Sequence, residues 1–249
     1  MSRVPAITDL VPRRGSFYAF VLLGGLGIVL TLGGLYRIGI ALGSRTTDGM
    51  VAALDLDSEG SIACWFSIIL YFVAGTVTLL IRRLKMVLGV APRERRCWLA
   101  LAMLWFVMSL DEGASLHEGF KSLMTMATGT PLMGDGSVYW AVPYFVLLSM
   151  GGMFLLVQIR RIPAAVFCLF SAGVCFAIAI AGQLDFILAG RPLLETWVEE
   201  SGEMMGQLFI MVSVGLYCRE VADRVSGEFT AHVAPIVEPH ARPGIRRAG

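Results

Sequence analysis

Residues 109–118 read SLDEGASLHE and follow CWLALAMLWFVM, a run that carries no charge. Asp111, Glu112, His117 and Glu118 therefore stand at the end of one apolar segment. A second stretch, ETWVEESGEMMG at 195–206, sets Glu199, Glu200 and Glu203 near the start of another. Carboxylates joined by an imidazole suit a divalent ion such as Zn, Mn or Fe, whereas oxygen ligands alone suit Mg or Ca. Acids held inside a membrane bundle have a second use, because they relay protons or couple protons to transport. The residue types thus point to cation or proton chemistry, in catalysis or in transport.

The elements that must position these groups are membrane helices. Of the 249 residues, 56% are hydrophobic and 16% charged. The mean hydropathy is +0.73. Soluble domains carry about 25% charge, so the composition favours a membrane chain. A spanning helix needs about 20 mostly apolar residues. Six stretches qualify: 17–36, 62–81, 97–118, 138–158, 163–187 and 196–218. None shows the polar–apolar alternation of barrel strands. The expected fold is all-α and polytopic, with six transmembrane helices.

Basic residues alternate from one connection to the next. If both termini are cytoplasmic, 16 of the 20 Lys and Arg fall inside and four outside. That bias matches the positive-inside rule. The expected organisation is a cytoplasmic tail over 1–16, a six-helix membrane domain over 17–218 and a flexible cytoplasmic tail over 219–249. The expected location is a bacterial cytoplasmic membrane. The bilayer is then the main partner, and a homo-oligomer or a second membrane protein is compatible with such a chain. A net charge of +1 gives no reason to expect nucleic acid. The five cysteines form no CxxC pair and read as small apolar residues.

Topology brings the acidic motifs together. On the third span Asp111 lies 15 residues beyond Arg96, about 22 Å along a helix. On the last span Glu203 lies 16 residues from Arg219, about 24 Å. Glu199 and Glu200 likewise match His117 and Glu118 in depth. The fifth span contributes Gln183 and Asp185, in AGQLDFI, to the same outer layer. On an unbroken helix Asp111 and Glu118 differ by only about 20° around the axis, so both would face one neighbour.

Seven acids then share one layer: Asp111, Glu112, Glu118, Asp185, Glu199, Glu200 and Glu203. His117, with Lys121 or Arg191, opposes them. Like charges a few ångströms apart cannot all ionise in a poorly solvated site. A divalent ion held by Asp111, Glu112, His117, Glu118, Glu199 and Glu203 is the leading reading, with Glu200, Gln183 and Asp185 as further candidates. A proton-coupled carrier that uses the same acids without metal is the second. The third is a structural or assembly protein whose polar layer fixes helix pairing. The Glu-x-x-His of di-metal bundles is missing from both motif-bearing spans.

The combination DE-x4-HE on the third span, Trp140 with Pro143 at the fourth, and EE-x2-EM-x-G on the last resembles an uncharacterised family of bacterial multi-pass membrane proteins. The likeness covers roughly residues 97–218. It implies a membrane bundle with its site at one end and assigns no activity. Members of that family often carry an acid in a Gly-x-Glu-like segment of the fifth span. Here GQLD supplies Gln183 and Asp185 in its place.

Overall fold

The computed structural model describes residues 7–43, 52–132, 134–184, 186–188 and 190–233. Among them the chain is all-α, with seven α-helices and no strand. They are α1 (Gly15–Ala41), α2 (Ile62–Val87), α3 (Pro92–Ala114), α4 (Leu116–Thr128), α5 (Val138–Ile159), α6 (Pro163–Gln183) and α7 (Pro192–Val233). Five of these, α1, α2, α3, α5 and α6, are long and apolar enough to cross a membrane. Their outward faces carry Phe20, Leu30, Trp65, Phe145 and Phe170, each more than half exposed. A protein in water rarely exposes so much contiguous apolar surface. The fold is that of a helical membrane protein.

Local chemistry sets the helix ends. Ser61 caps α2, its hydroxyl accepting the Cys64 N–H at 3.1 Å. Prolines open α3 and α6 at the first turn, where no N–H is needed. Gly129 closes α4 in the left-handed conformation that glycine tolerates, at φ 77°.

The last helix is the organising element. α7 packs against α6, α2 and α1, and its side chains from Met204 to Val225 fill the core. Small residues let these neighbours approach closely, as in other membrane bundles. Gly25 and Gly33 of α1 lie against Leu208 and Trp197, whereas Gly24, Gly27 and Gly34 face open space. On α7 itself, Gly206 meets Phe176 and Gly215 meets Tyr18. α7, which carries Glu195, Glu199, Glu200 and Glu203, is not among the five candidate spans. Its acidic start faces protein.

Two expectations change. The third stretch does not run unbroken through residue 118. α3 stops at Ala114, Ser115 takes a left-handed conformation with φ 45°, and α4 sets off from it. His117 and Glu118 therefore leave the helix that carries Asp111, and the 20° facing argument no longer applies to Asp111 and Glu118. Secondly, α7 continues to Val233, past residue 219 where a flexible tail was expected to start. Buried Val221, Ala222 and Val225 extend the packed face across that point.

Candidate functional site: an acidic cavity under a helical lid

The break after Ala114 is what makes the site. On a continuous helix, residues 111 and 117 lie about 120° apart around the axis and more than one turn apart along it, so the carboxylate could not reach the imidazole. Across the Ser115 kink the Asp111 carboxylate reaches forward. It accepts the His117 backbone N–H at 2.7 Å through one oxygen and contacts the His117 Nδ1 at 3.0 Å through the other. The first contact caps α4; the second orients the imidazole. The Ser115 hydroxyl bonds to Glu59, tying the kink to the segment before α2. A non-glycine residue at positive φ costs about 1–3 kcal/mol, so neighbouring contacts must hold it.

α4 and its flanks cover a cavity of about 400 Å³. Asp111, Glu112, His117, Glu118, Gln183, Glu199, Glu200 and Glu203 all line it. Asp185 lies outside the described residues. The helices thus bring together every described ligand candidate from sequence, on α3, α4, α6 and α7, while Arg191 does not line the cavity. Asp111 is buried, and Glu112, Glu199, Glu200 and Glu203 are half-buried.

Sequence reasoning missed several neighbours. Gln207 is 1% exposed and donates through Nε2 to Glu112 at 2.8 Å, leaving its Oε1 without a partner. It sits one helical turn after Glu203, a spacing that was readable. Asp57 and Glu59 enter from the connection before α2. Tyr71 of α2 and Tyr144 of α5 add hydroxyls to the lining. Trp140 packs on the His117 ring with centroids 4.9 Å apart. Its indole Nε1 is buried with no partner.

Charge is unevenly distributed. Nine carboxylates line the cavity, and the opposing cations are His117 and Lys121. Lys121 is committed to the lid, at 2.6 Å from Glu118 and 3.0 Å from Asp135. Asp135 also accepts the Ser137 N–H and hydroxyl, and Ser137 receives the Gln183 amide at 3.1 Å. Partial burial works against the Asp135 charge, but these hydrogen bonds hold its carboxyl below the usual carboxylate range. Burial, then the charges of Asp55 and Glu118, push the Asp57 carboxyl above that range. Burial opposes a charge on His117 as well. Its bond to Asp111 and the field of Asp111, Glu118 and Glu203 prevail, so its pKa is raised above the ordinary histidine value. No ion pair reaches Glu112, Glu199, Glu200 or Glu203 among the described residues.

No group of three or more His, Cys, Asp or Glu among the described residues is placed to hold a metal ion. Asp111 gives both oxygens to His117, and Glu112 is held by Gln207. The donors surround a space without converging on a point.

Fold and site together define a class: a helical membrane protein with a lidded carboxylate cavity at one end of its bundle. The chain belongs to the family described as Domain of unknown function (DUF8692), whose model matches residues 19–217. No curated protein and no solved structure matches the chain.

Proposed function

We propose that this protein is a six-span membrane protein, both termini cytoplasmic, whose outward-facing cavity binds a cation in exchange for protons, the central step of a proton-coupled carrier. The positive-inside bias supports the orientation, and α7 supplies the sixth span across residues 196–218. One observation carries the reading: Glu112, Glu199, Glu200 and Glu203 share the cavity with one another and with no basic partner of their own. Such a set cannot be fully ionised in a poorly solvated space. It holds protons, or it holds a cation that displaces them. Asp111 and His117 form a second proton-bearing pair at its edge.

The cation is the open variable. A Zn, Mn or Fe ion would have to draw Glu112, Glu199, Glu203 and His117 inward, since no three described donors already stand around one point. An organic ammonium group needs no such convergence, because scattered carboxylates satisfy its several N–H donors. The test is a titration of purified protein in phosphatidylcholine nanodiscs, read by tryptophan fluorescence, since Trp140 lines the cavity. Saturable responses to Mn, Zn or ethylammonium that vanish in Glu203→Gln and Trp140→Phe support the reading. A wild-type protein that responds to none of these cations contradicts it.

A further inference from the structure

A second hollow lies beside the first. Between α5 and α6, which touch sparsely, runs an apolar groove of about 710 Å³. Its lining extends from Val166 to Ala181 along α6, about 22 Å of helix. Gly152, Gly173 and Ala177 keep it open. Its edges include Phe145 and Phe170, exposed by 62% and 72%, so it opens toward the lipid. Leu148, Phe176 and Ile180 line this groove and also line the acidic cavity. The two hollows share one wall.

We infer that the pair forms a single amphiphile site: a lipid-like molecule lays its alkyl chain in the α5–α6 groove and passes an amine-bearing head over the Leu148, Phe176 and Ile180 rim into the acids. Three observations select this occupant. The groove is lined almost wholly by apolar side chains and reaches the level of Gln183, where the cavity begins. The cavity's surplus of carboxylates repels a phosphate or sulfate head and attracts an ammonium one. Trp140 lines the cavity with its indole Nε1–H buried and without a partner, a donor open to a hydroxyl or other acceptor carried beside the amine, while Gln207 Oε1 is an unpartnered acceptor beside Glu112. The inference rests on the cation-binding reading and names the class of cation.

The experiment separates the two. Gly152 and Gly173 line the groove, and an added Cβ at either meets nothing within 4 Å, so Gly152→Phe and Gly173→Phe are the groove-filling variants. Dodecylamine and ethylamine are titrated into wild-type, groove-filled and Glu203→Gln proteins in phosphatidylcholine nanodiscs. Comparing variants at fixed chain length removes the part of the affinity that comes from partition into the bilayer. The expected result is a loss of about tenfold or more in dodecylamine affinity on filling the groove, with ethylamine unchanged and both amines lost in Glu203→Gln. Unchanged dodecylamine affinity in the filled variants overturns the amphiphile site and leaves cation binding standing. Dodecyl sulfate or dodecanol binding as tightly as dodecylamine overturns the choice of head. Absence of any amine response in the wild type sinks this inference, and the reading beneath it falls as well only when Mn and Zn also give no response.

Discussion

The bundle holds two polar centres, and they are built on opposite plans. At the basic end, Lys85 of α2 lies 2.5 Å from Glu94 of α3 and 3.1 Å from Gln158 of α5. Tyr217 of α7 donates to the same Gln158 oxygen at 3.0 Å, and the Lys85 ammonium sits over the rings of Trp98 and Tyr217. One cation meets one anion, and four helices are tied at one point. At the acidic end, carboxylates outnumber cations, and Trp140 and Gln207 keep polar atoms without partners. A polar cluster that only holds helices together should look like the first. The second leaves its carboxylates without matching cations among the described residues.

The comparison predicts different responses to substitution. The largest effect is expected at Lys85, whose side chain is 11% exposed. Lys85→Met leaves the Glu94 carboxylate without its cation and should cost about 3 kcal/mol, because breaking a buried pair leaves the other charge uncompensated. Thermal unfolding in detergent, scored against wild type, measures it. Glu203→Gln should do the opposite: leave the unfolding midpoint unchanged or raise it while abolishing the cation response, since it relieves like-charge crowding. Equal destabilisation by both substitutions would erase the distinction and favour a purely structural polar layer.

An intermediate effect concerns the lid. With its pKa raised above about 6.5, the unfolded value, His117 stabilises the docked α4 fully below that pH. The contribution is lost as pH rises through the folded value. Amide exchange in α4 should therefore be slower at pH 6 than at pH 9 after correction for intrinsic rates, and Asp111→Asn should flatten the difference. Equal protection at both pH values in the wild type would remove His117 from lid control. The smallest effect belongs to Asp135, whose side chain is 57% exposed. Asp135→Asn should loosen the lid by about 0.5 kcal/mol or less, as exposed pairs contribute little. Added salt should reduce even that.

Much of this was legible in the chain. Apolar runs located the five helices long and apolar enough to cross a membrane, and counting residues from the basic ends put Asp111 and Glu203 at one depth, where they line one cavity. What the runs hid was the kink. Nothing in GASL breaks hydropathy, and a left-handed serine is decided by tertiary partners, here Asp111 and Glu59. That single residue turns a helix end into a lid. The roles of Gln207, Tyr71 and Tyr144 were hidden for another reason: isolated polar residues in apolar helices read as packing until their neighbours are known. The Lys85 knot was obscured because its basic residue belongs to a run that already explained the topology.

The central claim is that the cavity exchanges protons for a cation, and calorimetry tests it most directly. Ethylammonium is titrated into nanodisc-embedded protein at one pH in two buffers of different ionisation heat. The account predicts an apparent binding enthalpy that differs between the buffers, with a sign that reports protons released, and no such difference in Glu203→Gln. Binding with the same enthalpy in both buffers would show that no proton leaves when the cation enters, and would contradict the account.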